Sequence, residues 1–210
     1  MHRHPSFSSN RAQRAHHGGL RHRMARWALV CAAALCGEHG LVPPVRAENI
    51  ATSAALERRV KAAFLYKFLG YAEFPAGAFA DSASPVSIGV VGADDLAAEL
   101  ARIVSGRTVN NRPIVVRVLR ESELHLPVHL LFVGGADAGR VGRIVRAAGA
   151  APLVVTECEG GLQQGSAINF RIIDERVRFD VALDAAERNG IKLSSRLLTV
   201  ANRVQKGAQQ

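Results

Sequence analysis

Four short apolar runs recur through the middle of the chain: Val86-Ser-Ile-Gly-Val-Val91, Arg112-Pro-Ile-Val-Val-Arg-Val118, Val128-His-Leu-Leu-Phe-Val133 and Pro152-Leu-Val-Val-Thr156. Their β-branched content and the turn residues around them, such as Asn110-Asn111, mark them as strands. Helical patterns lie between them, at Asp94 to Ile103 and Ala136 to Ala147. Strands alternating with helices in this rhythm predict a largely parallel sheet with helices on both faces. The expected fold class is therefore α/β, a Rossmann-like three-layer sandwich.

The C-terminal part departs from that rhythm. Ala167 to Ile173 and Arg176 to Leu183 read as two strands joined at Asp174-Glu175, an antiparallel hairpin ending the sheet. Asp184 caps a short helix that Asn189-Gly190 stops. Ser194 or Ser195 caps a final amphipathic helix in which Leu197, Leu198, Ala201 and Val204 keep helical spacing.

Ahead of the sheet, Leu56 to Phe74 also fits a helix, closed by Pro75. Val60, Ala63, Phe64, Phe68 and Tyr71 share one face, while Leu65, Leu69 and Ala72 make the back apolar too. Its charges, Glu57, Arg58, Arg59, Lys61, Lys67 and Glu73, exclude a membrane span. Core helix and partner surface both remain open, and Lys67 on the Val60/Tyr71 face must reach solvent or find an acceptor.

The net charge of +9 suggests a nucleic-acid binder until its distribution is considered. Residues 1–47 hold seven of the 27 basic residues and one acid, Glu38, so the rest carries 20 bases against 17 acids. That body has no basic block, and no nucleic-acid partner is expected. In the leader, Arg21, Arg23 and Arg26 precede the apolar run Trp27 to Cys36, and Val45-Arg46-Ala47 offers small residues for cleavage. The run is about half of the ~20 residues that cross a bilayer. The leader reads as a signal peptide over 1–47, cleaved after Ala47, with Met24 an alternative start and a basic tail the competing reading. Residues 48–55 read as a flexible lead-in and 56–206 as one α/β domain. Export leaves Cys158 as the lone cysteine, buried or available for an intermolecular disulfide.

No catalytic set emerges. G-x-G-x-x-G and a Walker lysine are absent, and Gly134-Gly135 is a tight turn or a weak anion cradle. Gly165-Ser166-Ala is not a nucleophile elbow, and no histidine follows it. Two histidines, His125 and His129, and one cysteine make a poor metal set; His129 reads as a hydrogen-bonded core residue. The chain is expected to be no enzyme, with no cofactor and no metal. The hairpin region offers donors instead: Asn169, Arg171, Arg176, Arg178 and, beyond it, Arg196. Alternation puts Phe170 and Phe179 on the core face and the arginines opposite. That face is either solvated or suited to an anionic ligand or acidic protein surface.

Several segments together resemble the YfiR/HmsC-type periplasmic proteins: VKAAFLYKFLGYAEFP, GRTVNNRPIVVRVL, VHLLFVG and GGLQQGSAINFRIIDERVRFDVALDAAERNGIKLSSRLLTVANRV. The resemblance runs from about Leu56 to Val204. It implies a periplasmic α/β domain, commonly dimeric, that represses a membrane diguanylate cyclase by binding its periplasmic sensor region, with an outer-membrane lipoprotein able to relieve the repression. The same domain type also serves as an extracytoplasmic sensory module, so a small-molecule-binding or transport-accessory role is the alternative. This chain has Val128 where the family often has cysteine, and Lys67 where it usually has asparagine. Lys67 and Tyr71 join the hairpin donors as expected contact residues.

Overall fold

A run of good helix formers after Pro44, free of glycine until Gly70, lets the first helix start earlier than expected. In the computed structural model, which describes residues 45–148 and 153–207, α1 spans Val45–Tyr71. The expected flexible lead-in at 48–55 is thus corrected to helix. Residues 1–44, which hold most of the expected signal peptide and Met24, lie outside the described residues; Ala47 sits in the first turn of α1.

The chain then forms β1 (Ala72–Glu73), β2 (Val86–Val91), α2 (Asp94–Val104), β3 (Thr108–Val109) and β4 (Arg112–Val118). There follow β5 (Leu130–Val133), α3 (Ala138–Ala147), β6 (Leu153–Thr156), β7 (Ile168–Ile173) and β8 (Arg176–Ala182). The last elements are α4 (Leu183–Arg188), β9 (Lys192–Leu193), α5 (Ser195–Val200) and β10 (Arg203–Gln205). β1 pairs with β9, and the other eight strands form one sheet in the order β10-β8-β7-β6-β5-β2-β4-β3. All its neighbours are parallel except β7 with β8 and β3 with β4. The α/β three-layer fold is as expected, with four short strands added, β1, β3, β9 and β10. The final helix stops at Val200, and Val204 lies on β10 beside β8 rather than on a helix face.

Two apolar layers enclose the sheet. On one face α1, α2, α4 and α5 cover Ile88, Leu130, Phe132, Val155, Phe170 and Phe179; on the other α3 covers Leu131 and Val133 with Val141 and Ile144. Phe68 stands 5.1 Å from Phe179 and 5.8 Å from Phe170, so α1 is anchored on the hairpin by an aromatic cluster. The buried stripe of α1 is Lys61, Ala62, Leu65, Phe68 and Leu69. It is rotated from the expected face because both sides of the helix are apolar and the spacing alone leaves the phase undetermined.

Candidate functional site

Asp174 and Glu175 turn the hairpin with φ of 48° and 59°, a two-residue turn that sets the register of β7 on β8. That register places Phe170 opposite Phe179 in the core and Arg171 directly opposite Arg178 on the other face. Arg176 is one pleat away on the same face, and all three arginines are exposed. None forms an ion pair among the described residues. Like charges directly across a strand pair destabilise it, and no ion pair among the described residues relieves this one; the hairpin's own acids, Asp174 and Glu175 at the turn and Asp180 on β8, balance part of its charge.

On the α1 side of the hairpin, the helix and the two strands border a groove of about 540 Å³. Leu56, Glu57, Val60 and Phe64 line its helix side, and Ile172, Glu175, Arg176, Val177 and Arg178 its sheet side, two acids against two guanidinium groups. Leu56 is 62% exposed and Ile172 49%. The groove thus joins uncovered apolar surface to a rim of two guanidinium and two carboxylate groups, a chemistry suited to a partner with an apolar ridge flanked by charge, acidic where it meets Arg176 and Arg178.

The structure separates the expected contact residues. Arg176 and Arg178 line the groove, whereas Arg171, Lys67, Tyr71 and Arg196 do not. Lys67 is exposed further along α1; Tyr71 is half-buried, its carbonyl accepting from the Ser194 amide at 2.9 Å; Arg196 is exposed on α5. Asn169 is corrected from a surface donor to an internal strut. Only 2% exposed, it accepts from the Thr156 hydroxyl at 2.7 Å and donates to the Cys158 carbonyl at 3.0 Å. Gly161 makes that packing possible, since a Cβ there would stand 2.2 Å from Thr156 Oγ1. Cys158 is likewise 1% exposed, against the layer under α3, and burial pushes its thiol up. It is not presented for the intermolecular disulfide expected as one option.

One cluster escaped the sequence. In the order β4-β2-β5-β6, the helix after β2 (α2) and the helix after β5 (α3) lie on opposite faces of the sheet, and the crevice at such a switch point is where open α/β sheets hold ligands. Here α1 reaches over the carboxyl ends of the strands. Lys61 donates to Glu157 at 2.6 Å and to Glu57 at 2.5 Å, and Glu157 also accepts from the Gly135 amide at 2.9 Å. The weak anion cradle at Gly134-Gly135 is filled by the protein's own carboxylate. Burial alone pulls the Lys61 ammonium down, but its hydrogen bonds to Glu157 and Glu57 and their charges outweigh that and leave it above the ordinary lysine value. The available signal was Lys61 four residues after Glu57; Glu157, 96 residues away, had none.

His129 is the hydrogen-bonded residue expected. Its Nδ1 accepts from the Ser87 amide at 3.0 Å, and its Nε2 meets the Ala78 carbonyl at 2.9 Å, which assigns the proton to Nε2. Its ring stacks on Phe79 at 4.3 Å, with Arg112 over the same phenyl ring at 3.9 Å. Burial, with a smaller push from Arg112, holds its pKa below the ordinary histidine value against the opposing Ala78 bond. Among the described residues no cluster of His, Cys, Asp and Glu could hold a metal ion.

A family model described as YfiR/HmsC-like matches residues 58–202, which include every element from the middle of α1 to the end of α5. The chain belongs to the YfiR/HmsC-like family. Membership puts it in the general class of periplasmic regulators of cyclic di-GMP signalling, a regulatory rather than an enzymatic family. No helix among the described residues is long and apolar enough to cross a membrane. No curated protein matches. Among solved structures, a conserved domain protein from Vibrio cholerae is similar at 13% identity and a TM-score of 0.44, over 57% of this chain and 55% of that one. The chain thus spans about half the length of that protein.

Proposed function

We propose that this protein is a periplasmic repressor that holds a membrane diguanylate cyclase inactive by binding its periplasmic sensor region. Docking is through the groove between α1 and the hairpin. The observation that carries the proposal is a groove that exposes Leu56 and Ile172 and is bordered by Arg176 and Arg178, with Arg171 directly across from Arg178 on the reverse face of the hairpin. A surface that pays for cross-strand repulsion gains most from an acidic partner. Binding to the inactive sensor state shifts the cyclase population, and a full reversal requires ~5.5 kcal/mol of differential affinity. The small-ligand alternative would use Asn169, Arg178 and Arg196, but Asn169 is buried and Arg196 does not line the groove with Arg178.

The test is cellular cyclic di-GMP in a host lacking the gene, complemented with exported wild type or with Arg171→Glu/Arg178→Glu. Loss of the gene raises the level, wild type lowers it again, and the charge-reversed variant, folded and exported to the same amount, does not. Equal repression by both proteins would remove the hairpin from the interface. An unchanged level on deletion would remove the cyclase as target.

A further inference from the structure

Between β1 and β2 the chain passes through Phe74 to Pro85 with a single helical turn, Ala76–Ala78, and no strand. Ala76 to Ser84 make no backbone-to-backbone hydrogen bond to another element among the described residues. Side chains hold this segment to the sheet instead. Arg112 of β4 donates to the Asp81 carbonyl at 2.7 Å and the Ser84 carbonyl at 2.8 Å, and His129, just before β5, donates from Nε2 to the Ala78 carbonyl at 2.9 Å. The same two residues grip Phe79, which the imidazole stacks on and the guanidinium covers. Phe74 closes the cluster, its ring edge-on to His129 at 5.6 Å.

The imidazole can hold this position only while neutral. Its Nδ1 accepts from the Ser87 amide at 3.0 Å, and the His129 amide donates to the Ser87 carbonyl at 2.8 Å, so the ring is folded back on a residue that the sheet already fixes. A second proton would sit on Nδ1 and face the Ser87 N–H, donor against donor. The Ser87 hydroxyl, 2.9 Å from Nδ1, can turn to accept that proton and give its own to the Pro127 carbonyl at 3.4 Å. The Ser87 amide has no such choice. It is buried between β4 and β5 and would be left without an acceptor. The charges around the ring add to this. Arg112 of β4 repels an imidazolium. Asp81 of the segment commits its carboxylate to the Ser84 hydroxyl and the Ala83 and Ser84 amides, which hold it below the ordinary aspartate value. Glu73 on β1, opposite Lys192, and His125 before β5 are exposed and bond neither ring nitrogen.

We propose that the Phe74–Pro85 segment is an acid-released latch: protonation of His129 drives the imidazole off the Ser87 amide, and the segment leaves the end of the sheet with it. Release uncovers the apolar rings of Phe74 and Phe79 and strips Arg112 of its two carbonyl acceptors. Asp81, held low, stays ionised through the histidine range, so the turn from Asp81 to Ser84 moves out as a formed unit. Opening takes up one proton. Its equilibrium constant therefore grows by up to about tenfold per pH unit from about pH 6.5 downward, and levels off below the ring's folded-state value. Histidine is the side chain whose ordinary range makes a switch answer to mild acid, and this one belongs to a regulator of the periplasmic class.

The Ser87 amide is the reporter, since it is shielded only while the ring covers it. Hydrogen exchange of that amide, with the imidazole titration followed by nuclear magnetic resonance on the same protein, tests the latch. Its protection factor is level at neutral pH, falls by up to about tenfold per pH unit below about pH 6.5, and flattens at the His129 titration midpoint. The ladder amides of β5 and β6 keep their protection throughout. His129→Gln, which cannot gain a proton, removes the fall whether its starting protection is higher or lower, and His125→Gln leaves the fall in place. Arg112→Gln quickens Ser87 exchange at neutral pH, because Arg112 bonds the segment and not Ser87, and so acts on that amide only if segment and ring leave together. Protection that stays level through the His129 titration overturns the proposal, as does a fall that survives in His129→Gln. Unchanged Ser87 exchange in Arg112→Gln overturns it too, since the ring then moves without the segment. Loss of protection across the whole sheet at the same pH is global unfolding and overturns it equally.

Discussion

Replacing Lys61 by methionine tests the account of the switch point. The lysine side chain is 10% exposed, Glu157 22% and Glu57 37%. Without the ammonium, Glu57 can turn to solvent at little cost. Glu157 cannot: its other oxygen is held by the Gly135 amide, and α1 lies over it. Breaking one side of a fully buried pair costs about 3–5 kcal/mol, and losing one charge-assisted hydrogen bond about 1.5–3 kcal/mol. With Glu157 part-exposed, the expected loss is about 2–3 kcal/mol. For a domain of this size each kcal/mol moves the melting temperature by about 2–4 °C, so Lys61→Met melts roughly 5–10 °C lower. The assay is circular dichroism melting at neutral pH of Lys61→Met, Glu157→Gln and the double variant. The double variant recovers most of the loss, because the stranded carboxylate is gone. The raised lysine pKa means that this contribution is present below the unfolded value of about 10.5 and is lost as pH climbs through the folded value. A Lys61→Met protein that melts within 2 °C of wild type, or single effects that simply add, would refute the reasoning.

Acid reads out the His129 clasp. A depressed histidine pKa stabilises the fold above the unfolded value of about 6.5, and that contribution fades as pH falls through the folded one, so melting temperature drops with acidification and His129→Gln flattens the drop. Arg171→Thr relieves the cross-strand repulsion and raises stability by about 0.2–1 kcal/mol while weakening repression, a pairing of gains and losses that a thermal melt and a cyclic di-GMP assay would separate. Cys158 stays unreactive toward a thiol reagent in the native protein and labels readily in denaturant; rapid native labelling would contradict its burial.

The sheet was legible because Val86–Val91 and Leu130–Val133 are buried along their whole length, and burial on both faces forces continuous apolar runs. The hairpin was legible because Phe170 and Phe179 alternate with arginines. α1 was read as a helix, but its buried side was not, since Val60 and Leu65 compete for the core on near-opposite faces. In sequence Lys61 does not differ from the other charges of the helix, and Lys67, on the expected face, stands in solvent in the fold. Asn169 was misplaced because its partner Thr156 belongs to the neighbouring strand, which periodicity along one segment does not reveal. β10 went unseen because three residues, Arg203–Gln205, are too few to carry a pattern and owe their conformation to β8.

The aromatic anchor of α1 also has a consequence for the order of events during synthesis. Phe64 and Phe68 emerge early, yet the rings they pack against, Phe170 and Phe179, are made more than a hundred residues later. The first helix therefore has no native seat until the hairpin exists, and β8 has no outer neighbour until β10 follows it. Contacts of such long sequence separation fold slowly. In a nascent chain with this topology α1 stays unseated until the hairpin has been made, and an unseated segment is one that can still be threaded through a narrow translocation channel.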